Sequence, residues 1–145
     1  MMQKFTGNAF KAITGAVLVL AFAHAQAADW RRIGGTDAGD LSIDAASIKQ
    51  KGDVREAWSM WNFKQPRANN DASFPSLKSY QDLHLYNCKD KTMRLTREVI
   101  YADNNGTGDK RDHSEALKGM TFAKPAPDSV AELMLMQVCS ADAAK

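Results

Sequence analysis

The 145-residue chain has only two cysteines, Cys88 and Cys139, and no apolar run long enough to span a bilayer. A hydrocarbon core needs about 20 apolar residues in succession, and the longest run, Ala12 to Ala23, falls short. Lys4 and Lys11 precede that run and Ala25-Gln26-Ala27 follows it, the order of a secretory signal peptide with a small-x-small cleavage site. Ala23-His24-Ala25 also fits such a site, two residues earlier. The expected organisation is therefore a signal peptide over 1–27 and one mature domain over 28–145. No cysteine stands at the cleavage point to be acylated, so no lipid anchor is expected. Charge of one sign is also missing. The net +2 comes from Lys4 and Lys11, and removing these two from 19 basic residues leaves 17 against 17 acidic ones. A neutral domain lacks the field that attracts nucleic acid or anionic lipid, and neither is expected as a partner.

The residue patterns of catalysis are equally scarce. There is no phosphate-cradling glycine loop, no carboxylate pair at helical spacing and no cysteine–histidine cluster. Asp112-His113-Ser114 holds three triad residue types, but neighbours along a chain point apart and cannot line up as nucleophile, base and orienter. Asp103, Asn105, Thr107 and Asp109 alternate as in a calcium loop, with Gly108 at the sixth position. Ser114 occupies the twelfth, where a bidentate Glu belongs. His84, between Leu83 and Leu85, reads as a packed, hydrogen-bonded core or rim residue, since a lone histidine seldom makes a metal site. Asn105-Gly106-Thr107 fits a glycosylation sequon and, equally, a hairpin corner. No enzyme activity, metal or cofactor is expected.

What the chain does contain is a set of short strands and one helix. Trp30 to Ile33 and Leu41 to Asp44 read as brief strands around a glycine-rich turn. Asp53 to Phe63 is the clearest strand: period two places Val54, Glu56, Trp58 and Met60 on one face and Ala57, Ser59, Trp61 and Phe63 on the other. Gln65 to Lys78, with two prolines and no periodicity, reads as a mobile loop. Tyr80 to Cys88 alternates again, with Leu83 and Leu85 opposite Tyr80, Asp82, His84, Tyr86 and Cys88. Lys89-Asp90-Lys91 turns into a hairpin strand, Thr92 to Ala102, and Asp103-Asn104-Asn105-Gly106 supplies the next corner. Ser129 and Glu132 form a capping box for a closing helix whose stripe is Val130, Leu133, Met134, Gln137 and Val138. In an oxidising compartment Cys88 and Cys139 are expected to pair. Bridging positions 51 apart removes about 4 kcal/mol of unfolded-state entropy in the chain-closure model.

The order of these signals resembles the surface-adhesin protein E-like domain of exported Gram-negative proteins. The resemblance is carried by Trp30 with Ile33-Gly34, Ile43-Asp44 followed by Ser47-Ile48, and Val54 to Trp58. It continues through Ser79-Tyr80, the Cys88 strand, the turn from Tyr101 to Gly106, and Pro127-Asp128-Ser129 leading a helix to Cys139. It implies an α+β fold: an antiparallel sheet of about six strands, with the C-terminal helix packed on one face and held there by the Cys88–Cys139 bridge. It also implies a non-enzymatic module binding a protein, either a host matrix or serum glycoprotein or an envelope protein. The family's adhesin is lipid-anchored, and this chain departs from it in lacking the acylated cysteine, which leaves both the periplasm and the cell surface open. Trp61, Phe63, Leu83 and Leu85 are the expected binding residues, sharing the sheet face opposite the helix. The alternative is that the sheet curls or forms a homodimer to bury them. A second functional expectation is a periplasmic accessory or inhibitor protein probing a bacterial or hydrolase partner with the 65–78 loop.

Overall fold

A computed structural model describes residues 27–142, so all of the signal-peptide expectation except its last residue lies outside the described residues. Strand β1 (Trp30–Thr36) and β2 (Gly39–Asp44) form the first hairpin. After a 3-10 turn come β3 (Lys49–Lys51), β4 (Val54–Asp71), β5 (Phe74–Asn87), β6 (Thr92–Asp103) and β7 (Thr107–Asp112). All pair antiparallel in one sheet ordered β1-β2-β4-β5-β6-β7, with β3 on the end of β4 that β2 leaves free. The chain closes with helix α1 (Val130–Ser140).

Most expected elements stand where the alternation put them. The mobile loop over 65–78 does not exist as such. β4 runs on to Asp71 and β5 begins at Phe74, so the segment is the outer half of a long hairpin. Proline suppresses strand pairing only where its missing N–H is needed. Pro66 falls inside the register shift between Asn62 and Arg67, and Pro75 lies opposite the shift between Ala68 and Asp71. The tip is closed locally: Asp71 Oδ1 accepts from both the Ser73 amide and hydroxyl, and Asn69 Nδ2 donates to the Phe74 carbonyl. The arm curls back over the sheet. Its Phe74 is buried with the Arg111 guanidinium 5.1 Å above the ring, and Arg111 Nη2 donates to the Ser73 carbonyl.

The helix covers the face that carries Leu41, Ala57, Trp61 and Tyr86, burying Met134, Leu135 and Val138 against them. Both ends of α1 are tied down. Ser129 Oγ accepts from the Glu132 amide, while Glu132 reaches back to the Asp128 amide, one residue beyond the expected reciprocal bond. At the other end Arg55 donates to the Val138 and Ala141 carbonyls, a cation on the helix C-terminus. The expected Cys88–Cys139 disulfide is present and joins α1 to the end of β5. Glycine allows close approach at two places, Gly34 beneath α1 and Gly39 where β2 meets β4. A Cβ on Gly34 would stand 2.8 Å from Leu133 Cδ2, and one on Gly39 would stand 2.8 Å from the Trp61 indole nitrogen.

Candidate binding face

The strand register decides which side chains share a surface, because residues opposite one another on paired strands point to the same side. Trp61 pairs with Tyr80, Ala57 with His84 and Arg55 with Tyr86. Tyr80, His84 and Tyr86 alternate with Cys88, which is bridged to α1, so all of these lie on the helix side. Trp58 pairs instead with Leu83, and Glu56 with Leu85. The four residues expected to share one face are therefore split between two. Trp61 and Phe63 are core residues, 9% and 4% exposed. Leu83 and Leu85 are half-buried on the opposite, open face, where their aromatic companion is Trp58.

On β6 the bulge between Arg97 and Leu95 adds Thr96 to the count. Leu83 pairs with Arg97 and Leu85 with Arg94, which brings two arginines three positions apart to the same open face. Thr96 fixes the bulge by donating from Oγ1 to the Leu83 carbonyl at 2.9 Å. Each guanidinium lies on an aromatic ring: Arg97 is 5.4 Å from the Trp58 ring centroid and Arg94 is 5.2 Å from that of Phe122. Further along the face, Tyr101 donates to Gln81 and Gln81 to the Met60 sulfur, so Met60 is shielded by its own neighbours. What is left half-exposed is Trp58, Leu83 and Leu85 with the two arginines beside them. Alternation alone places Trp58 opposite Trp61, but Arg94 and Arg97 could not be matched from sequence, because the bulge breaks period two between them.

On the helix side a cleft of about 320 Å³ opens beneath the curled arm, lined by Trp61, Phe63, Tyr80, Glu98, Ile100 and His113. Asp82 lies behind it, 8% exposed, and its Oδ1 has no hydrogen-bond partner among the described residues. Burial, with the nearby Glu98 carboxylate adding to it, pushes the Asp82 carboxyl up to about 8. Burial alone takes His84 down to about 4. His84 packs against Tyr86, ring centroids 5.8 Å apart, as expected, but its buried Nδ1 has no hydrogen-bond partner among the described residues, so the expected hydrogen bonding is not found. Asp112, His113 and Ser114 do not converge. Ser114 bonds to Asp112, and His113 Nδ1 turns to Glu98 at 3.4 Å. Asn105, at φ 61°, forms a hairpin corner whose amide donates to Asn62.

The family model described as surface-adhesin protein E matches residues 30–140. Among curated protein sequences none matches the chain. Solved structures of Haemophilus influenzae protein E share the fold. Crystal form II is 13% identical with a TM-score of 0.57, covering 74% of this chain and 91% of that one. A second structure is 15% identical with a TM-score of 0.58, covering 77% and 83%. Protein E of a non-typeable strain is 14% identical, also with a TM-score of 0.58, covering 77% and 75%.

Proposed function

The chain belongs to the surface-adhesin protein E family, and from that premise we propose that it is an exported, non-enzymatic binding module that docks a protein partner on its open sheet face. The partner class we assign is host extracellular-matrix or serum glycoprotein. In this scheme residues 1–27 are removed on export and 28–145 form the working domain.

One observation carries the proposal. Trp58, Leu83 and Leu85 form an apolar patch flanked by Arg94 and Arg97, on the side of the sheet that α1 leaves uncovered. Tryptophan and arginine dominate the energetic centres of protein interfaces, where a desolvated ring or guanidinium contributes far more than its rim neighbours. The accessory or inhibitor alternative relied on a mobile probe over 65–78, and that segment is a paired hairpin arm.

The test is retention on a panel of immobilised matrix and serum glycoproteins, comparing wild type with Trp58→Ser. Retention lost by a Trp58→Ser protein that stays fully folded at the assay temperature supports the open face, and undiminished retention overturns it. Protease accessibility on intact cells, against cells with an opened outer membrane, decides where the partner is met. Digestion of the mature protein on intact cells supports the host-partner assignment, and protection until the membrane is opened overturns it.

A further inference from the structure

Beside the Trp58 patch the open face runs into a cleft of about 350 Å³, at the β6 bulge and the 114–120 segment that follows β7. Its lining includes Arg94, Arg97 and Lys118, the hydroxyl residues Thr96 and Ser114, and one acid, Glu115. The charges in it are unevenly matched. Lys118 and Glu115 pair with each other at 2.7 Å, both largely in solvent. Arg97 reaches Asp112 only at 3.4 Å, and Asp112 is already held by the Ser114 amide and hydroxyl, which keep its carboxyl below the usual range. Arg94 makes no ion pair among the described residues, and its Nε is buried without a hydrogen-bond partner.

The Arg94 guanidinium, which lines the cleft, makes neither an ion pair nor a hydrogen bond among the described residues, which leaves its terminal N–H groups to meet a ligand oxygen. Both guanidinium groups already rest on aromatic rings, Arg94 on Phe122 and Arg97 on Trp58. Less rotamer entropy is then lost when a ligand arrives. Arginine's donor fork suits a carboxylate, which it grips through two parallel hydrogen bonds. The surroundings narrow the source of that carboxylate. A polysulfated glycan calls for a long stripe of cations, whereas the domain over 28–145 is formally neutral and the arginines stand among Trp58, Leu83, Leu85 and Phe122. Acidic side chains interleaved with apolar ones match that mosaic.

We propose that this cleft is the specificity pocket of the open face and takes an Asp or Glu carboxylate, flanked by apolar residues, from an extended segment of the partner protein. The proposal rests on the open face being the docking surface and adds the chemistry of what it selects.

The test is fluorescence anisotropy with a labelled short peptide of alternating Glu and Leu, beside its Gln-for-Glu counterpart and a labelled heparin oligosaccharide. The Glu peptide is expected to bind wild type at least about tenfold more tightly than the Gln peptide, and Arg94→Gln and Arg97→Gln each to remove about tenfold. Arg94→Lys, which keeps the charge but loses the fork, is expected to recover only part of that loss. Arg67→Gln and Arg111→Gln, on the helix side, serve as unchanged controls. Equal binding of the two peptides overturns the pocket, as does heparin binding that depends on Arg94 and Arg97 while the Glu peptide fails. If Trp58→Ser abolishes glycoprotein retention and Arg94→Gln does not, the docking face stands and the pocket falls. If neither variant loses retention, both fall.

Discussion

Asp82 and His84, two residues apart on the helix-side face of β5, are titrated in opposite directions by the same burial. Asp82 moves from an ordinary 3.8 to about 8, so between those values the folded chain keeps a proton that the unfolded chain has released. Stability therefore falls as pH rises through that window. His84 moves from 6.5 to about 4, so there the unfolded chain holds the extra proton and stability rises with pH. The two slopes oppose each other up to about pH 6.5, above which only Asp82 remains. We expect the unfolding free energy from urea denaturation to fall between pH 6.5 and 8 by up to about 2 kcal/mol, at roughly 1.4 kcal/mol per pKa unit. Asp82→Asn should abolish that drop; a drop that persists in the variant would assign it to another group. The grouping of Asp82, His84 and Cys88 was legible from alternation along one strand. Their neighbours across the sheet were not. Assigning Trp58 rather than Trp61 to the face of Leu83 requires the register, which Trp61 opposite Tyr80 fixes and one strand's periodicity does not contain.

Among the elements, the helix was the easiest to read, because its cap and its cysteine stand in one short stretch, although its buried side is Met134, Leu135 and Val138 and the expected stripe member Gln137 is exposed. The outer arm of the β4–β5 hairpin was the hardest. Its prolines and asparagines are loop residues by composition, and they become strand residues only because the register shifts fall where the prolines stand. The β6 bulge was hidden for a related reason, since a single extra residue leaves no mark on hydrophobicity. The arm is held over the helix-side cleft by Arg111 against Phe74 and Ser73, by Arg67 over the Phe63 ring and by Leu77 against the core. Arg111→Ala is expected to raise amide exchange across 64–78 while leaving β5 beyond Tyr80 protected; unchanged exchange in the arm would show that its hairpin bonds and remaining contacts suffice. For α1, replacing both Cys88 and Cys139 by Ser is expected to cost about 4 kcal/mol in urea unfolding. A loss below about 1 kcal/mol would mean that Arg55 and the apolar stripe alone hold the helix in place.

Across the whole molecule, the sheet works as a partition between a covered face and an open one. The general plan of an antiparallel sheet with a bridged terminal helix was present in the sequence and its family resemblance. The residues that distinguish the faces were not, because helix docking selects a side only after the strands have paired. Trp58 and Trp61, on opposite sides of β4, separate the two roles directly. Trp61→Ser is expected to lower stability by about 3–5 kcal/mol through the cavity it leaves among Leu41, Phe63 and Gly39. Trp58→Ser is expected to cost about 1 kcal/mol or less and to act on partner retention. Similar losses from both, measured by urea denaturation, would mean that the open face is itself a core waiting for a second copy. The position of the disulfide has a consequence for biogenesis. Cys88 closes β5, and Cys139 lies in the last element, 51 residues later, after β6 and β7. A chain delivered N-terminus first has thus exposed every strand before its second thiol arrives. In any N-terminus-first delivery the bond therefore follows the emergence of β1 to β7 and cannot guide it, so it locks α1 onto strands that are already available to pair.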